Sequence, residues 1–243
     1  MRCAHCGGHY LRHMRPIWEA HADGATSCLI SGGCDPSGRV PVTSHLAEVA
    51  RLRPGRRMNW HVGFIGEDEL HAILPLVDVI SFDVVGDAET AREVYGLDVA
   101  LEDYMRMYDL LSAHARVVPH ITIGLRAGKL SGERLALQAL AARGANALIF
   151  LVLMPTEGTA FASCAPPDLR EVTELLLDAR VLLPAARLYL GCMRPHGAYR
   201  QSLDELAVRA GVNGIVSPTL TAERAAAQLG LEITWGDECC ALS

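Results

Sequence analysis

Two cysteines near the start of the sequence, Cys3 and Cys6, are spaced so that both thiolates can bind one metal centre. Two glycines follow, Gly7 and Gly8, and they allow the backbone to curl closely around a bound group. A C-x2-C pair by itself suits zinc as well as an iron–sulfur cluster. The spacing therefore predicts a metal site without fixing the metal.

Cysteine is abundant elsewhere in the chain, which has eight of them in 243 residues. Cys192 follows a predicted strand, and Cys239 and Cys240 are adjacent near the end of the sequence. Clustered cysteines in an intracellular chain favour metal or redox chemistry over disulfides. These three are candidate ligands of an auxiliary iron–sulfur cluster, and a redox pair or a structural role are the alternatives.

A glycine pair ends the first predicted strand, in the run Ser31-Gly32-Gly33. Because the two glycines have no side chains, their backbone carbonyls are open to the ammonium group of a ligand. The alternative is an ordinary turn between a strand and a helix. The position some 25 residues after the C-x2-C pair favours the ligand-binding interpretation.

Polar residues also interrupt the apolar runs of two later strands. Asp83 and His120 are both surrounded by apolar neighbours. Burying a carboxylate is costly unless it is paired or contacts a ligand, so Asp83 is a candidate ligand contact, and His120 is a second. Structural, hydrogen-bonded roles remain open for both residues.

Two further candidates follow the next strands along the chain. Pro155 begins a Pro-Thr-Glu-Gly-Thr turn, and Arg194 follows Gly191-Cys192-Met193. A rigid turn can support a ligand through its backbone, and an arginine can bind a carboxylate. A tight loop without a ligand and a surface arginine are the respective alternatives.

Strand-like and helix-like segments alternate along the whole sequence. The predicted strands are Thr26–Ile30, Met58–Ile65, Val77–Val85, Val117–Leu125, Ala147–Met154, Arg187–Gly191 and Gly214–Val216, with Leu231–Thr234 as a last short strand or extended segment. The predicted helices are Ser44–Arg51, Glu67–Leu74, Ala88–Tyr95, Leu101–Ala115, Gly132–Arg143, Pro167–Leu183, Ser202–Ala210 and Thr221–Leu229.

This rhythm predicts an α/β fold with a parallel sheet, a (βα) TIM-type barrel. The strands are apolar throughout, as expected when helices cover one face and the barrel interior fills the other. We expect one domain over residues 1–243, with 231–243 as a cysteine-containing tail. Because functional residues of such barrels gather at the carboxyl ends of the strands, the candidates above should lie together.

The ordered set of motifs resembles the radical S-adenosylmethionine (SAM) superfamily, in its biotin synthase and lipoyl synthase-like branch. The motifs are Cys3-x2-Cys6, Ser31-Gly32-Gly33, the turn from Pro155 to Thr159, and Gly191 to Arg194. The family's cluster motif is C-x3-C-x2-C, whose first cysteine would fall two positions before Met1. We therefore expect an N-terminally truncated chain in which the first barrel strand is missing, with poor cluster assembly as a consequence.

The resemblance implies a [4Fe-4S] cluster held by Cys3 and Cys6, and SAM bound by residues at the strand ends. The cofactor-binding residues implied are Ser31, Gly32, Gly33, Asp83, His120, Pro155 and Arg194. It also implies an electron donor such as ferredoxin or flavodoxin. The substrate would be a small molecule or a protein-bound acyl chain, for example for sulfur insertion as in two-component lipoyl synthases, which would add a second subunit.

Two other classes of function remain open. The chain could be a cluster-deficient, non-catalytic partner subunit, or a zinc-dependent barrel hydrolase with His61, Asp83 and His120 as ligands. The net charge of −6 and the lack of a basic stripe do not suggest nucleic acid binding. No apolar run has the length of a membrane span, and we expect a cytoplasmic protein.

Overall fold

The computed structural model describes residues 3–21 and 24–243. Within them, seven parallel strands form one sheet whose spatial order follows the chain. The strands are β1 (Ser27–Ile30), β2 (Arg57–His61), β3 (Val79–Asp83), β4 (Val117–Ile123), β5 (Ala147–Val152), β6 (Arg187–Leu190) and β7 (Gly214–Ile215). The helices are α1 (Leu46–Leu52), α2 (Glu67–Ile73), α3 (Ala88–Thr90), α4 (Leu101–Ser112), α5 (Glu133–Ala142), α6 (Leu169–Leu182), α7 (Ala198–Arg209) and α8 (Leu220–Gln228).

The prediction of a parallel (βα) barrel-type fold is confirmed. A helical connection follows each of the first six strands, and each brings the chain back parallel to the strand before it. The sheet curls into a half-barrel. In the described part of the chain, β1 pairs only with β2, and β7 pairs only with β6.

Alternate strand residues on the outer face of the sheet pack against the helices in the main hydrophobic core. Trp60 of β2 is fully buried there, and its indole Nε1 donates a hydrogen bond to the Leu76 carbonyl over 3.0 Å. The helices contribute apolar side chains such as Leu70, Leu111, Leu137, Leu176 and Leu203. Packing of the outer face against the helices holds the strands in place, and the inner face of the sheet lines the interior of the half-barrel.

The end of the chain fills the lower part of that interior. Ala241 and Leu242 are 0% and 2% exposed, and they pack in a second apolar cluster with Val79, Val118 and Tyr189 on the inner face of the sheet. Arg116, just before β4, donates a hydrogen bond to the backbone oxygen of Ser243 over 3.0 Å. The tail thus supplies side chains where a closed barrel would use its own strands.

Truncating Leu242 to alanine should destabilise the protein by about 2–5 kcal/mol, because a fully buried leucine is lost from a packed interior. Leu220→Ala is the matched control, since Leu220 is 65% exposed and should cost little. Urea unfolding of both variants measures the difference. Equal stabilities for the two variants would mean that the tail does not occupy the interior in solution.

The observed elements differ from the predicted ones mainly at their ends. Strands β2, β3 and β5 stop four, two and two residues earlier than predicted, since the apolar residues that follow are buried in loops rather than paired. Helix α7 begins at Ala198, directly after Gly197, which has a positive φ of 67°. Residues 231–234 are exposed and belong to no strand, so the predicted last short strand is wrong.

Among the residues that the structure describes, no helix combines the length and apolar character needed to cross a lipid bilayer.

Candidate metal centre and adjoining cavity

The loop that carries the two N-terminal cysteines folds into a tight turn. Gly7 and Gly8 have φ angles of 54° and 78°, the left-handed region that glycine adopts without strain. The Gly7 amide donates to the Cys3 carbonyl over 2.8 Å, and a short 3-10 helix, His9–His13, follows. The turn therefore folds back on itself and brings its side chains together.

Three potential metal donors meet inside this turn. The Sγ atoms of Cys3 and Cys6 and a ring nitrogen of His5 all lie within 4.8 Å of one another. A hydrogen bond between the two sulfurs lowers the pKa of Cys6 to about 4 and raises that of Cys3, and burial raises both values. The pair is thus set to hold one thiolate even before a metal binds, and thiolate is the form that ligates metals.

The turn is anchored to the barrel through the segment that follows β3. The Ala4 amide donates to the Val94 carbonyl over 2.8 Å, and the His5 ring meets Tyr95 edge-on with ring centroids 5.5 Å apart. Burial, and then the charge of Asp83, raise the pKa of Tyr95 well above its ordinary value, so it stays a neutral phenol. Tyr95 also lines a cavity, so one residue contacts both the cysteine turn and that cavity.

This cavity opens at the carboxyl ends of β1, β2 and β3. Five Phe and Tyr rings line it, those of Tyr10, Phe64, Phe82, Tyr95 and Tyr104. The polar or small residues of the lining are Ser31, Gly32, Cys34, Gly38, His61, Gly63, Ser81 and Asp83. No lysine or arginine is among the described residues that line it.

The glycine-pair segment forms one wall of the cavity. Ser31 and Gly32 line it, and the Gly32 carbonyl accepts a hydrogen bond from the Tyr10 hydroxyl over 3.1 Å. A carbonyl oxygen has two lone pairs, so this contact leaves one of them for a ligand. Gly33 is exposed at the rim, where the Leu11 side chain lies close to it. Cys34 lines the wall next in sequence, and burial, followed by the charge of Asp83, raises its pKa.

Asp83 provides the only acidic group among the described residues that line the cavity. Its side chain is enclosed by the barrel mouth yet remains 51% exposed toward the cavity, and His61 Nδ1 lies 3.8 Å from its Oδ2. Burial acts to raise the pKa of Asp83, but the contact with His61 and the charges of His61, His120 and His5 outweigh it, so its pKa is lowered. Asp83 therefore presents a carboxylate to any ligand in the cavity.

His120 lies deeper on the inner face, beside His61. The centroids of the two imidazole rings are 5.4 Å apart, and His120 Nδ1 donates to the Val118 carbonyl over 3.0 Å. Burial lowers the pKa of His120 to about 4, with the Asp83 charge opposing the effect. The ring is therefore neutral at pH 7, and its Nε2 is an acceptor.

The two remaining candidates from the sequence occupy other surroundings. Pro155 begins the loop after β5, and Gly158 of this loop lies close to the His9 ring beside the cysteine turn. Arg194 is 0% exposed and does not line the cavity. Its guanidinium donates to Asp204 over 2.7 and 3.2 Å and to three backbone carbonyls, those of Gly191, Val216 and Ser217. In this structure Arg194 binds the protein itself.

The remaining predicted metal ligands lie apart from the turn. Cys192 is exposed after β6, whereas Cys239 is half-buried in the tail, with Asn59 Nδ2 donating to its Sγ over 3.5 Å. A hydrogen bond from Cys240 lowers the pKa of Cys239 to about 6. Among the described residues, only Cys3, His5 and Cys6 form a compact set of three metal donors. The tail cysteines do not form such a set, and neither do His61, Asp83 and His120, the ligands predicted for a zinc site.

Several residues of this region were not singled out in the sequence. They are the lining residues Tyr10 and Tyr104 and the bridging residue Tyr95. These tyrosines lie far apart in the sequence, so no local pattern connects them. Only His5 had a local signal, since it stands between the two cysteines.

No protein-family model matches the sequence, and no curated protein matches it either. Solved structures do share its fold. The [FeFe]-hydrogenase maturase HydG from Carboxydothermus hydrogenoformans is 17% identical, with a TM-score of 0.61 over 78% of this chain and 46% of that one. A second HydG structure is 11% identical, with a TM-score of 0.62 over 82% of this chain and 47% of that one.

A third similar structure is that of methylornithine synthase, PylB. It is 13% identical, with a TM-score of 0.60 over 87% of this chain and 69% of that one. The chain spans about half the length of the HydG proteins. At these identities, the likeness establishes the shared parallel barrel-type fold.

Proposed function

We propose that the chain is a radical SAM enzyme in which Cys3 and Cys6 hold a [4Fe-4S] cluster and the adjoining cavity binds SAM. The observation that carries the proposal is the position of the cysteine turn, which Tyr95 joins to a cavity at the carboxyl ends of the parallel strands. Two proteins that share the fold, HydG and PylB, are radical SAM enzymes, which supports the same assignment.

The residues of the turn fit an iron–sulfur group. Two thiol sulfurs and an imidazole nitrogen face one another, and His5 Nδ1 is buried without a hydrogen-bond partner among the described residues. Thiolates are the protein ligands of such clusters, and imidazole replaces thiolate in some of them. When bound, the cluster would supply one electron to the sulfonium of SAM, giving methionine and a 5′-deoxyadenosyl radical that takes a hydrogen atom from the substrate.

The cavity residues fit a cationic cofactor. SAM carries a sulfonium and an ammonium group, and the cavity offers one carboxylate, aromatic ring faces and a glycine carbonyl. Aromatic faces and carboxylates both attract cations, more strongly where water is excluded. In this proposal Gly32 and Asp83 bind SAM and Ser31 lines the wall beside them. Gly33, His120 and Pro155 are not among the described residues that line the cavity.

The finer assignment to a lipoyl or biotin synthase-like, sulfur-inserting enzyme rests on the sequence resemblance. The same holds for an auxiliary cluster at Cys192, Cys239 and Cys240, for a ferredoxin or flavodoxin as electron donor, and for an acyl substrate or a second subunit. For the auxiliary cluster, the tail adds only that Cys239 and Cys240 pack with the apolar cluster on the inner face of the sheet.

The direct test is anaerobic reconstitution with iron and sulfide, followed by incubation with SAM and dithionite. We expect partial cluster assembly, as the sequence resemblance implies, and a low but measurable yield of 5′-deoxyadenosine, detected by liquid chromatography and mass spectrometry. A colourless protein that produces none, also in the presence of its natural partners in a lysate fraction, would contradict the proposal and favour a non-catalytic subunit.

Replacing Asp83 by asparagine should weaken SAM binding about tenfold, which corresponds to about 1.4 kcal/mol. The substitution keeps the shape of the side chain but removes the only negative charge among the described residues lining the cavity. Equilibrium dialysis of the reconstituted protein measures the affinity. Asp98→Asn is the control, since the Asp98 side chain is 93% exposed. Unchanged affinity in the Asp83 variant would remove this residue from the SAM site.

A further inference from the structure

His5 occupies the centre of the cysteine turn. One of its ring nitrogens lies with the Cys3 and Cys6 sulfurs in a group no wider than 4.8 Å. The ring cannot swing away freely, because it packs edge-on against Tyr95 at 5.5 Å. The Ala4–Val94 hydrogen bond of 2.8 Å fixes the backbone directly before it.

The His5 ring hydrogen-bonds to the Cys6 thiol, but only part of its polar edge is satisfied in this way. Nδ1 of His5 is buried and has no hydrogen-bond partner among the described residues. Leaving a buried polar atom unsatisfied destabilises the folded protein. Buried polar atoms without partners are rare in folded proteins, and an ion that the structure does not include is one of their explanations.

The chemistry of the three donors is that of a soft-metal site. Imidazole nitrogen and thiolate sulfur together bind iron–sulfur centres and zinc, whereas magnesium and calcium prefer oxygen. We propose that His5 is a protein ligand of the metal centre beside Cys3 and Cys6, giving a mixed set of one nitrogen and two sulfurs. That the centre is an iron–sulfur cluster rests on the function proposed above.

The test uses His5→Phe, which retains an aromatic ring against Tyr95 but removes both nitrogens. Pulsed electron paramagnetic resonance on the reduced cluster, with 15N-labelled histidine, detects nitrogen bound to iron. We expect a 15N coupling in the native protein that is absent in His5→Phe, together with a loss of iron affinity of at least about tenfold. His9→Phe, four residues along the same segment, should retain the coupling.

A second variant separates ligation from folding. His5→Cys replaces nitrogen by sulfur, so it should recover most of the bound iron and lack the 15N coupling. Circular dichroism of both variants checks that the barrel is folded. A cluster that shows no histidine coupling in the native protein, or that assembles equally well in His5→Phe, would overturn the inference and leave the radical SAM proposal intact.

Cobalt(II) provides an arm that does not depend on the cluster. Titration of the metal-free protein should give sulfur-to-cobalt charge-transfer bands, and the visible ligand-field bands should shift in His5→Phe but not in His9→Phe. If no iron–sulfur cluster forms, the radical SAM proposal fails, and such a shift would still support His5 as a ligand. Identical cobalt spectra in the native protein and in His5→Phe would overturn the inference.

Discussion

Cys6→Ser is expected to abolish iron binding and SAM cleavage together. Serine keeps the size of the side chain but loses the thiolate, which is the ligating form of cysteine. Mutating a residue that only hydrogen-bonds to a metal ligand typically lowers metal affinity about 10–100-fold. Loss of a ligand itself should therefore lower the affinity at least about 100-fold. Iron and acid-labile sulfide per chain and 5′-deoxyadenosine formation are the measurements, and Cys3→Ser should behave in the same way.

Cys164→Ser is the matched control for this experiment. Cys164 is half-buried in the loop after β5, whereas Cys6 is buried, and Cys164 belongs to no group of metal donors among the described residues. Iron content in this variant should equal that of the native protein. Retention of iron and of SAM cleavage by Cys6→Ser would show that the cysteine turn is not the metal centre and would leave the proposed function without its support.

A double substitution at Cys239 and Cys240 tests the auxiliary cluster in the same assay. The two sulfurs share a hydrogen bond inside the barrel interior, and no third donor joins them within the described part of the chain. If the pair binds a second cluster, the double serine variant should lose a stoichiometric share of iron while it retains SAM cleavage at the N-terminal site.

The sequence predicted the number and order of the strands because each is an apolar run of strand length bounded by turn residues. It did not predict where they end. Val62, Ile65, Val84, Val85 and Leu153 continue the apolar runs and are buried, but they pack within loops above the sheet. The hydrophobic pattern of the sequence reflects only which residues are buried. The length of a strand also depends on whether the neighbouring strand extends far enough to pair with it.

The sequence also predicted which strands would carry polar candidates, since Asp83 and His120 interrupt otherwise apolar strands. Their register on adjacent strands, Asp83 beside His120, explains why they share one region of the interior. The placement of Tyr10 and Tyr104 in the cavity wall depends on contacts between distant segments. No spacing rule connects such residues, so this part of the site required the structure.

The tail gives the clearest example of information that is absent from local sequence. Ala241 and Leu242 form a short apolar pair that follows two cysteines, which is too short to predict an element. Their burial depends on the space inside the curled sheet, between Val79 and Tyr189. The occupation of this space by the tail is therefore visible only in the folded structure, where distant parts of the chain pack together.

Arg194→Met is expected to destabilise the protein by about 3–5 kcal/mol, because it leaves the buried Asp204 carboxylate without its cation. The two side chains are both 0% exposed and are joined over 2.7 Å, and Arg194 also holds three backbone carbonyls near β6 and β7. Arg209→Met on the same helix as Asp204 is the control. Arg209 forms an exposed pair with Glu205 over 3.0 Å, which should contribute about 0–1 kcal/mol.

The same pair of variants decides between two roles for Arg194. A structural arginine predicts a lower urea midpoint for Arg194→Met, and partial recovery in a double variant that also replaces Asp204 by leucine, since removing both charges leaves no unpaired group. A cofactor-binding arginine, as the sequence resemblance implied, predicts near-native stability and weaker SAM binding instead. Because all the bonds of the guanidinium in this structure are to the protein itself, we expect the first result: unfolding at lower urea, with SAM affinity unchanged wherever the variant is folded.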